Sequence, residues 1–183
     1  MCLIIERRLK MPANQNVERM VDEYGDALLR MCYLYLKDYH LAEDAVQETF
    51  IKAIKSYDSF KQKSSEKTWI TRIAINTCKN IMRNHWFQMV QDNIDMHITA
   101  IKGNPIDDFH TKNSVTEAIM KLNVNDRKII VLYYYQELPI KEIAGIIGKT
   151  QNATLQRLNR ARMKLKKILM EDGYDENGFE TGN

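Results

Sequence analysis

The chain has 183 residues, room for one domain or two small ones, and a formal net charge of +3. Its 7 Gly and 3 Pro are few, and period-two alternation is nearly absent, so an all-α fold of two small helical domains is expected. No apolar run approaches the roughly 20 residues of a membrane span. The opening MCLIIERRLK has the wrong order and length for a signal peptide, and no His/Cys cluster has zinc spacing, so neither membrane insertion nor a metal or other cofactor is expected.

The first predicted helix covers about 17–37, with Val17, Met20, Val21, Tyr24, Leu28, Met31 and Tyr35 on one face at 3/4 spacing. Residues 1–16 precede it as an extension. The second covers about 41–56, with Ala42, Ala45, Val46, Thr49, Phe50, Ala53 and Ile54 inward. A polar, basic loop over 57–67 ends at Ser64 or Ser65 as N-cap. The third helix, about 66–85, carries Trp69, Ile70, Ile73, Ala74, Thr77 and Ile81, with Ile75, Cys78 and Met82 as a second apolar flank. A helix so apolar all round belongs at the centre of its bundle. Cys32 and Cys78 lie inside helical patterns and read as buried thiols of a reducing cytosol.

Periodicity fades over 88–111, where four Asp and one Lys accompany Gly103-Asn104-Pro105. This is read as a flexible acidic linker ahead of a second domain over 112–171. A helix starts near Ser114, whose Ser114-x-x-Glu117 spacing has the form of a capping box. Another begins near Asp126. Pro139 suits the first position of the next helix, which runs to about Ile147. The last helix, about 151–170, packs through Leu155, Leu158, Ala161, Leu165 and Ile168. The polar tail from 172 to 183 is expected to be disordered.

Residues 138–167, LPIKEIAGIIGKTQNATLQRLNRARMKLKK, carry the strongest functional signal. A short amphipathic helix, a break at Gly148 and a second helix bearing Arg157, Arg160, Arg162, Lys164, Lys166 and Lys167 are the pattern of a helix-turn-helix that enters a major groove. Residues 149–170 hold seven Lys/Arg and no acid, and Gln151, Asn152, Gln156, Arg157 and Arg160 offer amides and guanidinium groups for base edges. The third helix carries a second basic stripe, Arg72, Asn76, Lys79 and Arg83, at spacings of 4, 3 and 4. Lys61, Lys63 and Lys67, with Tyr57, Phe60, Trp69 and Trp86, add cations and flat rings of the kind that hold single-stranded nucleic acid. The second helix instead turns Asp44, Gln47, Glu48, Ile51 and Lys55 outward. Acids gain nothing against DNA, so this face points to a basic protein partner with Ile51 as apolar anchor. A metal site from Glu43, Asp44 and Glu48 lacks further ligands at a recognisable spacing. No catalytic motif stands out, and no enzyme activity is expected.

Taken together, these segments resemble the bacterial alternative sigma factors of the extracytoplasmic-function type, over most of 17–170. AEDAVQETFIKAI (42–54) resembles that family's core-polymerase-binding helix, SSEKTWITRIAINTCKNIMRN (64–84) its promoter-melting segment, and LNVNDRKIIVLYYYQELPIKEIAGIIG with RLNRARMKLKK its −35-reading domain. The resemblance implies a two-domain protein that lends promoter specificity to core RNA polymerase. Asp44, Gln47, Glu48 and Ile51 would dock on polymerase. Lys63, Trp69, Arg72, Asn76, Lys79 and Arg83 would capture the opened −10 element. Thr150, Gln151, Asn152, Gln156, Arg157, Arg160 and Arg162 would read the −35 duplex. The linker would thread toward the RNA exit path, and an anti-sigma protein would hold this cytoplasmic protein inactive. The chain departs from the family at Glu66, where an aromatic is frequent. It departs again over 149–156, where Lys149 replaces an apolar residue and Leu155 a cation of the usual Ile-Ser-Glu-Gly-Thr-Val-Lys-Ser-Arg. Two competing readings stand beside it: a helix-turn-helix regulator that binds duplex DNA as a dimer without polymerase, and a protein-interaction bundle with incidental basic charge.

Overall fold

The computed structural model describes residues 15–57, 60, 64–91 and 114–172, except the side chains at 15–17, 85–91 and 114. The extension up to residue 14, the linker from 92 to 113 and the tail from 173 lie outside the described residues. Among the described residues seven α-helices follow one another: α1 (Gln15–Leu36), α2 (Tyr39–Ser56), α3 (Glu66–Gln91), α4 (Ser114–Lys121), α5 (Val124–Ile130), α6 (Ile140–Ile147) and α7 (Gln151–Glu171). A π-helical turn, Val131–Tyr135, extends α5. No strand occurs among the described residues. They fall into two compact units, one built on α1 to Cys32, α2 and α3, the other on α4 to α7.

The first unit's core follows from three amphipathic faces. Leu28, Met31 and Cys32 of α1, Ala42, Ala45, Val46, Phe50 and Ala53 of α2, and Ile70, Ala74, Ile75 and Cys78 of α3 are buried. The alanines of α2 keep that face narrow, and Thr49 meets its buried hydroxyl's need locally by donating to Ala45 O at 2.6 Å. The two thiols meet between α1 and α3, Cys78 Sγ donating to Cys32 Sγ at 3.5 Å. That hydrogen bond, and then burial, push the Cys32 thiol well up, so Cys32 behaves as an inert core group. Two expectations for α3 need correction. Met82, assigned to the second apolar flank, is 36% exposed. The helix also runs on through Gln91, so the first residues of the expected linker, 88–91, are helical. Loss of apolar periodicity there does not mark the end of the helix.

The second unit is organised around α7, which packs against α4, α5 and α6. Arg127 anchors the α4–α5 corner: it donates to the terminal carbonyls Met120 O at 3.0 Å and Leu122 O at 3.5 Å. A cation suits carbonyls left open at a helix end. Lys121 binds both oxygens of Asp172, at 2.6 and 2.7 Å, tying α4 to the end of α7. α5 begins at Val124, earlier than the expected start near Asp126, because Asn123 is the N-cap and accepts from the Asn125 and Asp126 amides. Pro139 is likewise the N-cap of α6, with extended backbone at φ −66° and ψ 152°, not its first helical residue.

Candidate nucleic-acid interfaces

Three surfaces were expected to bind, and each is assembled differently. On α2 the buried face leaves Asp44, Glu48 and Ile51 exposed and Gln47 half-buried. Ile51 is 41% exposed, an apolar side chain one turn after Glu48. Lys52 pairs with Glu48 at 2.7 Å, and it also donates to Thr77 at 3.1 Å, which draws that cation toward α3. Asp44 is left as the uncompensated acid of the face among the described residues. No three His, Cys, Asp or Glu side chains gather as metal ligands would among the described residues, Glu43, Asp44 and Glu48 included.

At the head of α3, Ser65 is the cap of the two serines considered: its Oγ accepts from the Thr68 amide at 3.1 Å. From there Arg72, Asn76 and Arg83 are exposed and Lys79 is half-buried, in line with their common face. Trp69, three residues before Arg72, heads that stripe. It stacks with Phe60 at a centroid distance of 4.8 Å and meets Tyr57 edge-on at 6.0 Å. All three rings are half-buried, so Trp69 is both packing and surface. Lys61 and Lys63, and the side chain of Trp86, lie outside the described residues.

The residue that organises this end of α3 is Glu66, which the sequence marks only as a departure from the family pattern. Its Oε1 accepts from Arg19 Nη2 at 2.8 Å and from the Tyr57 hydroxyl at 2.9 Å. Its Oε2 accepts from the Tyr24 hydroxyl at 3.1 Å. The Arg19 hydrogen bond is the largest influence; it overcomes burial and, with the two tyrosines, holds the Glu66 carboxyl below its ordinary range. The same contacts push the Arg19 guanidinium up, and burial followed by hydrogen bonds to acids pushes the Tyr24 hydroxyl up. Neither Arg19 nor Tyr24 was legible as part of this cluster, because its partner lies 47 or 42 residues away.

In the second unit, α6 ends at Gly148 in the left-handed conformation, φ 67° and ψ 43°. A side chain there would meet no atom within 4 Å, so the glycine answers a backbone need and not a steric one. Thr150 then caps α7: its Oγ1 accepts from the Ala153 amide at 3.2 Å, which commits the hydroxyl to the helix end. Asn152, Gln156 and Arg160 recur at every fourth residue and are all exposed, one continuous stripe. Gln151 is exposed on a neighbouring stripe.

Arg157 and Arg162 leave that surface. Arg157 is half-buried, with its Nη1 4.0 Å from Asp126 Oδ1, and Lys164 donates to Asp126 Oδ2 at 2.5 Å. Burial pushes the Asp126 carboxyl up, but hydrogen bonds from Lys164 and Asn123 outweigh it and leave the group below its ordinary range. Arg162 lays its guanidinium over Tyr133 and Tyr134, 4.9 and 5.4 Å from the ring centroids. The π-helical turn turns Tyr134 outward, 51% exposed. Another correction concerns the packed stripe of α7. Leu155 is 45% exposed and Thr154 is buried in its place, with its hydroxyl donating to Thr150 O at 2.8 Å.

Residues 20–88 match the family described as sigma-70 region 2, and residues 112–165 match sigma-70, region 4. Curated relatives include the ECF RNA polymerase sigma factor SigM of Bacillus subtilis, 30% identical, the match covering 87% of this chain and 99% of that protein. SigW of the same organism is 28% identical, covering 92% of this chain and 98% of that protein. Among solved structures, the fold is similar to the sigma factor RpoE from Bartonella quintana, crystallised with the anti-sigma factor NepR. There the TM-score is 0.73 at 24% identity, covering 86% of this chain and 99% of that chain.

Proposed function

The chain belongs to the extracytoplasmic-function family of RNA polymerase sigma factors, and we propose that its two helical units divide promoter reading between them. As a member of that family it directs core RNA polymerase to particular promoters. In this reading Asp44, Gln47, Glu48 and Ile51 on α2 dock the protein on polymerase. The stripe Arg72, Asn76, Lys79 and Arg83, headed by Trp69 and joined by Lys63, captures the melted −10 strand. Asn152, Gln156 and Arg160, flanked by Thr150, Gln151, Arg157 and Arg162, read the −35 duplex.

The observation that supports this division is the pair of separate stripes. One is cationic and headed by stacked rings, which suits unstacked bases and phosphates. The other follows a helix-turn-helix break and carries amides with one guanidinium, which suits base edges in a major groove. Contacts made only with the open strand offset the unpairing cost of a few kcal/mol per base step. The domain boundaries proposed for these roles are 17–87 and 112–171. The protein acts in the cytoplasm, lends specificity to an enzyme without being one, and is held inactive by an anti-sigma protein. A stand-alone helix-turn-helix regulator leaves the region 2 match over 20–88 without a role.

Replacing Asp44 and Gln47 together with Ala is expected to abolish promoter-specific transcription in vitro and co-purification with core polymerase. Folding, followed by circular dichroism, should be retained. Unchanged transcription by the double variant would refute the docking assignment.

A further inference from the structure

We propose that Glu66 is a positioning residue for −10 strand capture: it fixes Tyr57, and through Tyr57 the Tyr57–Phe60–Trp69 ring cluster, as a preformed stacking surface for one unpaired base. The proposal rests on the −10 reading of α3. Three features carry it.

The first is convergence. Arg19 of α1, Tyr24 of α1 and Tyr57 at the end of α2 all donate to one carboxylate in the first turn of α3, at 2.8, 3.1 and 2.9 Å. Glu23 holds Arg19 from its other side at 2.8 Å. Glu66 presents no flat face to a base; its oxygens are spent on these donors.

The second is what the carboxylate fixes. Tyr57 is the only donor of the three whose ring belongs to the aromatic cluster, 6.0 Å from Trp69 and 6.4 Å from Phe60. The Phe60 amide also donates to Tyr57 O at 2.9 Å, so Phe60 is tied to Tyr57 as well as stacked on Trp69. The third feature is place. Trp69 heads the stripe of Arg72, Asn76 and Arg83, so a strand whose phosphates follow its two arginines brings a base to the rings. A surface arranged beforehand spares the cost of ordering side chains as the strand arrives.

The test uses the full chain with core polymerase. Templates are selected by that holoenzyme from a random duplex library and then made as forks with a single-stranded −10 segment. 2-Aminopurine, whose fluorescence is quenched by stacking, replaces each single-stranded base in turn. The wild-type protein is expected to quench one position. Tyr57→Phe, which keeps the ring and removes its hydrogen bond, and Glu66→Ala should each lose that quenching. Each should also lose about tenfold in fork affinity, the worth of one stacking contact. Affinity for a −35 duplex lacking the −10 segment should stay the same. Glu66→Gln retains one acceptor oxygen, which can serve Tyr57, and should recover most of the quenching. If Glu66→Ala does not fold, Tyr57→Phe decides. Wild-type quenching in Tyr57→Phe and Glu66→Ala, or equal losses on fork and −35 duplex, overturns the proposal. Should Arg72→Ala with Asn76→Ala still weaken fork binding in that case, the −10 reading stands without it. Undiminished fork binding by that double variant removes the −10 reading itself.

Discussion

Each unit sets one acidic side chain among cationic and hydrogen-bonding partners, and the two placements have opposite consequences. In the first unit Glu66 takes its cation, Arg19, from another helix and leaves the stripe on α3 facing solvent. Arg72, Asn76 and Arg83 carry no ion-pair or hydrogen-bond partner among the described residues. In the second unit Asp126 takes its cations from α7, Arg157 and Lys164. The Asp126 carboxyl is the more buried, with 7% of its side chain exposed against 16% for Glu66. If the α3 stripe captures a melted strand as proposed, it meets that strand with its exposed arginines free. The helix proposed to read the −35 duplex has two of its cations held by Asp126.

The largest test of this contrast is Asp126→Ala. It leaves Lys164 and Arg157 without their acid and removes the side chain bonded to the α5 cap, Asn123. Loss of a hydrogen-bonded charged group at this burial is expected to cost about 2–3 kcal/mol of stability. Hydrogen exchange on the full chain should show the loss in α4 to α7 and not in α1 to α3. Glu66→Ala, whose main partner Arg19 is half exposed, should cost less. Equal costs would remove the distinction between a buried and a surface acid.

Next comes the division of labour along α7. Arg160→Ala is expected to weaken −35 duplex binding by about 1–2 kcal/mol if it reads a base edge. Arg157→Ala should cost less, because Arg157 is half-buried and already engaged with Asp126 in the free protein. Titration of the two variants with the same duplex checks the order. A larger loss at Arg157 would return it to the role the sequence alone suggests, a direct reader.

Acid supplies a smaller effect with a definite sign. Asp126 and Glu66 both have carboxyls lowered in the folded protein. Their contribution is therefore complete above the ordinary carboxylate value of roughly 4 and is lost as the pH falls through the lowered folded values. Replacing Asp126 with Asn should flatten that part of the stability–pH curve below about pH 4, measured by denaturant unfolding. A stability loss already complete at pH 6 would assign it to other groups.

The helices and the two exposed polar stripes were legible because 3.6-residue periodicity and cation spacing are local properties. Glu66 and Asp126 were not. Glu66 acts through partners that only folding brings to it, and Asp126 is held chiefly by Lys164, 38 residues away. Arg157 and Arg162 were read as outward cations because sequence charge does not reveal which side a long side chain takes. Tyr133 was legible only as part of a helix with Ile129, Ile130 and Leu132, and Tyr134 drew no attention; local periodicity does not foresee a π-helical turn that leaves Tyr134 51% exposed.

The smallest predicted effect tests the frame of α7 itself. Apolar spacing placed Leu155 with Leu158 and Ala161 in the packed stripe, whereas the family pattern aligns it with a cation on the outer face. The structure agrees with the alignment: Leu155 is 45% exposed, and the buried position belongs to Thr154, whose hydroxyl is satisfied within its own turn. A core leucine replaced by lysine would cost several kcal/mol, whereas an exposed one changes stability by under about 0.5 kcal/mol. Leu155→Lys should therefore melt with the wild-type protein. Because the added cation lies on an exposed helix face beside Asn152 and Gln156, −35 duplex binding should also become more salt-dependent, by about one released counterion. Melting and a salt titration of the same variant separate the two frames. A collapsed melting temperature returns Leu155 to the core, and an unchanged salt slope places it away from the phosphates.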